Sequence, residues 1–157
     1  MKTTIAVFGK TGKETEIASL IKDAETIDIK DFPSIPEDTE RFGIICPTVN
    51  GNLPYEVEDW IRNEIGERDN SNLKYIFGIL TYDRNPLWVE SQLSRALSDA
   101  GCVLTYVDKV PVDEDLHSDK MDSIVRDIAK EEFKLAKYSL LYRIFRKFGR
   151  NNRPENA

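Results

Sequence analysis

Short apolar runs alternate with amphipathic stretches along this chain. Thr4–Phe8 (TIAVF), Phe42–Cys46 (FGIIC), Lys74–Leu80 (KYIFGIL) and Cys102–Val107 (CVLTYV) are near-continuous apolar runs. They predict strands buried on both faces. Glu25–Lys30 (ETIDIK) alternates apolar and polar positions and predicts a shorter strand. Between the runs the apolar spacing becomes helical. Ile17, Leu20 and Ile21 share one face of a predicted helix from Lys13 to Asp23. Val57, Trp60 and Ile61 do the same from Leu53 to Gly66, where Pro54 suits a first turn. A third helix is expected from Leu87 to Ala100, closed by Gly101. A fourth starts at Asp119 and its pattern can continue to Phe148. Asp31–Glu40, broken by Pro33 and Pro36, reads as loop, so the crossover between the second and third strands is short or lacks a helix.

Crossover helices between apolar strands imply a parallel sheet covered on both faces. The predicted fold is α/β: a three-layer, doubly wound, five-stranded parallel sheet in the order 2-1-3-4-5, with an extended C-terminal helix.

Composition narrows the class without naming a function. The 157 residues are 40% hydrophobic and 32% charged, which suits one globular domain and excludes collagen-like, disulfide-dense and low-complexity chains. No apolar run approaches the roughly 18 residues of a membrane span. The N-terminal apolar stretch is too short for a signal peptide. Cys46 and Cys102 form no CxxC pair, so the expected location is cytoplasmic, with both thiols reduced.

Charge is unevenly placed. From Lys134 onward seven basic residues face only Glu155, giving +6, while residues 1–133 carry −12 of the total −6. An acidic body argues against nucleic acid as a partner. Leu141, Ile144, Phe145 and Phe148 form an apolar stripe flanked by Arg143, Arg146, Lys147 and Arg150. Residues 1–137 therefore read as the domain and 138–157 as a basic amphipathic extension. The stripe is expected to fold back on the domain or on a second copy. A membrane surface is the less favoured docking site.

Ligands of open parallel sheets bind beyond the carboxyl ends of the strands. Three loops there are rich in Gly, Asn, Thr and Pro. The first is Gly9-Lys10-Thr11-Gly12-Lys13-Glu14-Thr15, whose glycines can turn N–H groups toward an anion and whose Thr11 and Thr15 hydroxyls can donate to it. It is neither a Walker A loop nor GxGxxG. The second is Pro47-Thr48-Val49-Asn50-Gly51-Asn52, and the third is Thr81-Tyr82-Asp83-Arg84-Asn85-Pro86. Other chemistry is thin. His117 is the single histidine and lies in an acidic loop, and no zinc or calcium pattern occurs.

These loops resemble those of the flavodoxin-like family over residues 4 to about 130. Thr11-Gly12 matches the centre of the family's phosphate loop, Ser/Thr-x-Thr-Gly-x-Thr. Cys46-Pro47-Thr48 through Gly51 and Pro54 resembles the second flavin loop. Leu80-Thr81-Tyr82 through Asn85 resembles the third, where an aromatic commonly covers the ring. The resemblance implies an FMN-binding electron-transfer protein that serves redox partner proteins, more an electron carrier than a turnover enzyme. The implied cofactor contacts are Gly9, Lys10, Thr11, Gly12, Lys13, Thr15, Pro47, Thr48, Val49, Asn50, Gly51, Thr81, Tyr82 and Asn85. Tyr82 is the expected ring contact, and Trp88 is expected in the core or as a hydrophobic staple. Departures support two alternatives. Glu14 stands where the family has Thr, placing a carboxylate beside a phosphate, and Val49-Asn50 replaces a common aromatic. A cofactor-free interaction module would account for both. The second loop also resembles that of the small flavodoxin-like activators of manganese ribonucleotide reductase, although Asp83-Arg84-Asn85 keeps only part of their third-loop pattern.

Overall fold

The computed structural model describes residues 1–130. Five parallel strands form one sheet in the order β2-β1-β3-β4-β5, the order expected of a doubly wound five-stranded sheet. They are β1 (Thr3–Val7), β2 (Ala24–Asp28), β3 (Arg41–Pro47), β4 (Tyr75–Tyr82) and β5 (Tyr106–Pro111). Every residue of β1 is buried, as are all of β3 after Arg41, whereas edge strand β2 has no buried residue. Central strands are covered on both faces and must be apolar throughout, while an edge strand is freed from that demand.

Successive strand residues feed opposite cores. Ala6, Ile44 and Leu80 point into one, with helix α2 (Tyr55–Trp60) and helix α3 (Val89–Asp99) above them. Ile5, Ile45 and Phe77 point into the other, covered by α1 (Lys13–Ser19) and α4 (Asp119–Ala129). This gives three layers. Ser118 caps α4, its hydroxyl accepting from Met121 N at 3.2 Å. Residues 131–157, including the predicted continuation of the last helix and the basic 138–157 extension, lie outside the described residues.

Several boundaries differ from the sequence reading. β5 begins at Tyr106, four residues later than predicted. Thr105 explains the delay. Its N–H still donates to Ile76 O at 2.8 Å, but its hydroxyl takes the Ile76 N–H at 3.1 Å, so a side chain accepts the bond that a backbone carbonyl would accept in a ladder. Cys102 and Leu104 still reach the core, so an irregular segment carries the same apolar signal as a strand. The helix after Pro54 runs as α only to Trp60 and then widens to a π turn over Ile61–Ile65, closed by Gly66 N to Ile61 O at 3.2 Å. A Cβ on Gly66 would lie 2.4 Å from Arg62 O, so glycine is required there. α1 stops at Ser19, short of the predicted Asp23.

The β2–β3 crossover has no α-helix. It holds one 3-10 turn, Ile29–Asp31, capped by Asp28, and is then pinned to α2. Trp60 Nε1 donates to Pro33 O at 3.0 Å, and Ile35 N donates to Glu64 Oε1 at 3.0 Å.

Candidate functional site

In a parallel sheet all five carboxyl ends share one edge, so the three Gly/Asn/Thr-rich loops gather there. The register brings the ends of neighbouring strands level: Val7 pairs with Ile45, and Pro47 with Thr81.

The first loop turns at Gly12, whose φ of 86° lies in the left-handed region and favours glycine. That turn returns the chain so that Glu14 faces back into the loop. Glu14 is 0% exposed. Its Oε1 accepts from Lys10 N at 2.7 Å and Thr11 N at 2.9 Å. Its Oε2 accepts from the Thr11 hydroxyl at 2.5 Å and the Thr81 hydroxyl at 2.9 Å. Four donors thus converge on one carboxylate, three from the loop and one from the end of β4. Burial alone would push the Glu14 carboxyl up. The hydrogen bonds from Lys10 N, the Thr11 hydroxyl and N–H, and the Thr81 hydroxyl outweigh it and hold the group below its ordinary value. The neighbouring Cys46 thiol is pushed far up by burial and by the Glu14 charge, so it stays neutral and is no nucleophile.

The sequence contained a sign of this arrangement. Thr11-Gly12-Lys13-Glu14 fits the capping-box pattern, in which an acidic side chain three residues on reaches back to a backbone N–H. The contribution of Thr81, 67 positions away, has no such local sign.

The remaining predicted residues fall into groups. Gly9, Lys10, Gly12 and Thr15 line a cavity of about 600 Å³ between α1 and β2, together with Asp28 and Lys30. Thr48, Asn50, Gly51 and Asn85 line a polar cleft of about 530 Å³, together with Asp83, Arg84 and Pro86. Val49 lines a third cleft of about 440 Å³ with Lys10, Lys30, Leu53 and Tyr55. Lys13 is turned to the β5–α4 loop, where its Nζ donates to Glu114 O. Lys30 Nζ donates to Gly9 O. Pro47 and Tyr82 are the last residues of β3 and β4, so Tyr82 lies in a strand and not in the loop, half-buried and paired with Pro111.

The second loop closes on itself. Asn50 and Gly51 have φ of 53° and 78°, and Val49 and Asn52 exchange both backbone hydrogen bonds at 2.9 and 3.0 Å. This is the two-residue turn that Asn-Gly favours. Gln92 fixes it, its Oε1 accepting from Leu53 N at 2.7 Å and its Nε2 donating to Asn52 Oδ1 at 2.8 Å.

Trp88 corrects its expected place: it is 70% exposed, in neither core, and stands just before α3. Its neighbour Leu87 is 77% exposed, Tyr55 69% and Phe32 76%. These four residues follow β2, β3 and β4 at the carboxyl edge. Sequence periodicity did not single them out as a group.

No protein-family model and no curated protein sequence matches the chain. Solved structures do match. The Trp repressor binding protein from Bacillus subtilis is 16% identical, with a TM-score of 0.64, over 81% of this chain and 97% of that one. A flavodoxin from the domain Archaea is 13% identical, with a TM-score of 0.61, over 83% and 98%. The chain has a flavodoxin-like fold. It also matches the rubredoxin oxygen:oxidoreductase of Desulfovibrio gigas, at 11% identity and a TM-score of 0.64, but spans only 36% of that longer chain.

The flavodoxin-like fold raises the question of FMN, whose phosphate would enter the first loop. The residues present do not fit that phosphate. The loop's Lys10 and Thr11 N–H groups and the Thr11 hydroxyl already serve Glu14. Two unit negative charges about 4 Å apart repel by about 4 kcal/mol at an effective dielectric of about 20. The polar cleft between the second and third loops is open, but its lining side chains include no aromatic ring. Among the described residues, no group of three His, Cys, Asp or Glu side chains could hold a metal, and no helix is long and apolar enough to cross a membrane.

Proposed function

We propose that this chain is a flavodoxin-like docking module, which recognises a partner protein through the carboxyl edge of its sheet and works without a resident FMN. The observation that carries this reading is the placement of Phe32, Tyr55, Leu87 and Trp88. Of the five large hydrophobic side chains that stand exposed among the described residues, four follow strand ends at one edge, Phe32, Leu87 and Trp88 outside the α-helices and Tyr55 at the first position of α2, and Met1 is the fifth. Scattered exposed apolar residues are ordinary, but an aromatic-rich group at one end of a fold marks an interaction surface. The acidic Asp113-Glu114-Asp115 loop follows β5 at the same edge. A partner with a basic, apolar face suits this combination and would be steered to it at low salt. The reading also keeps the chain in the cytoplasm, where its two buried, free cysteines stay reduced.

The test is site-specific photo-crosslinking in cells. A photoreactive residue at Trp88 or Tyr55 should give discrete adducts that vanish on competition with unlabelled protein. The same residue at Asn72, exposed before β4 at the other edge, should give none. Equal adduct yields at both edges would overturn the reading.

A second reading is FMN-dependent electron transfer. It is favoured by the open cleft between Asn50-Gly51 and Asp83–Asn85 and by the flavodoxins among the structural neighbours. It requires the chain to hold FMN, which can be measured directly.

A further inference from the structure

We propose that Glu14 is a tethered anion that sets the specificity of this edge against phosphate monoesters, and that Glu14→Thr converts the first loop into one that accepts them. This deepens the docking reading, because it concerns the ligand that the same edge excludes.

The argument rests on how the carboxylate is held. An ionised carboxylate offers about four lone-pair positions. All four are used here: Oε1 takes two backbone N–H groups and Oε2 takes two hydroxyls. The donors come from the loop and from β4, and none comes from the first turn of α1. They enclose an anion that the chain itself supplies. A phosphate monoester would need the same N–H groups, so it can enter only if Glu14 leaves.

Leaving is costly. Glu14 would give up four charge-assisted bonds and strand the buried Thr81 hydroxyl. The nearby cations do not relieve the conflict. Lys13 and Lys30 are engaged with the carbonyls of Glu114 and Gly9, and Lys10, although it lines the adjoining cavity, has an exposed side chain whose charge is screened by solvent. Threonine at position 14 removes the charge and restores a short donor. The cavity beside Gly9, Gly12 and Thr15 leaves room for an incoming anion at this loop.

The test compares full-length wild type, Glu14→Thr and Glu14→Ala with three probes: inorganic phosphate, FMN and riboflavin. Flavin fluorescence quenching reads the two flavins, and the thermal midpoint reads phosphate. Wild type should show no preference for FMN over riboflavin and no midpoint shift in 10 mM phosphate compared with a sulfonate buffer of equal ionic strength, about the concentration at which a weak millimolar site would fill. Glu14→Thr should favour FMN over riboflavin at least about tenfold, a gain that one relieved charge repulsion accounts for. Glu14→Ala, which vacates the Lys10 and Thr11 N–H groups, should show a phosphate-dependent midpoint even if Glu14→Thr folds poorly. A wild-type preference for FMN over riboflavin overturns the proposal whatever the variants do. So does a folded Glu14→Thr or Glu14→Ala that gains neither phosphate nor FMN. Neither result touches the crosslinking outcome, so the partner-docking part of the reading stands or falls separately, while FMN bound by wild type also counts against its cofactor-free part.

Discussion

The Thr81 hydroxyl, at the end of β4, donates to the carboxylate of Glu14 at 2.9 Å, although the two residues are 67 positions apart. This bond ties the first loop to the end of β4 and makes the Glu14 charge part of the fold. If that is so, Glu14→Ala should be destabilising. It leaves a buried hydroxyl and two N–H groups without their acceptor, a loss of about 2–4 kcal/mol. Urea denaturation of the variant should show it. A change below about 0.5 kcal/mol would mean the bonds contribute nothing net.

The same bonds fix a pH dependence. The folded-state pKa of Glu14 is lowered from 4.5, so the unfolded chain takes up its proton first as pH falls. The stabilisation is therefore complete above about 4.5 and lost as pH falls through the lower folded value. Wild type should lose its stability advantage over Glu14→Gln across that acid range and keep it unchanged between pH 6 and 8, about two units or more above the transition. An advantage that grew on acidification would contradict the assignment.

Gly12 and Gly9 should respond differently to alanine. Gly12 has φ 86°, where a Cβ costs about 1–2 kcal/mol, and the turn it makes is what aims Glu14 inward. A Cβ on Gly9 would meet only Thr15 Oγ1 at 3.5 Å, an ordinary contact, so Gly9→Ala should cost less than about 0.5 kcal/mol. Denaturation midpoints of the two variants check the contrast.

The two tryptophans separate surface from core. Trp88 is 70% exposed, and Trp88→Ala should change stability by no more than about 0.5 kcal/mol while removing an anchor of the docking edge. Trp60 is 2% exposed, packs 6.0 Å from the Phe42 ring and donates to Pro33 O, so Trp60→Ala should cost about 3–5 kcal/mol. Acrylamide should quench the fluorescence lost in Trp88→Ala more efficiently than the fluorescence that remains.

Much of this fold was legible in the chain. Runs such as Phe42–Cys46 are apolar because both faces of a central strand are covered, and that pattern predicted a covered parallel sheet, while the 2-1-3-4-5 order came from the known doubly wound architecture. The start of β5 was not legible, because Cys102 and Leu104 fill the core from an irregular segment while Thr105 bonds sideways to Ile76. Trp88 was misplaced for a similar reason: helical spacing identifies α3 but does not say which way the residue before its first turn points. At the site, Thr11 and Gly12 were read as parts of an anion loop, and Glu14 as an unfavourable neighbour of a phosphate. The carboxylate instead takes the anion's place. Three of its four donors come from the loop itself, around Thr11-x-x-Glu14, and the fourth depended on Thr81 arriving from β4, which only the folded sheet provides.

The most direct test of the docking account is the visible spectrum of the purified full-length chain after incubation with excess FMN and desalting. The account predicts a colourless protein with no bound flavin, because the first loop already holds Glu14. A yellow protein that retains stoichiometric FMN through desalting would contradict it and favour electron transfer.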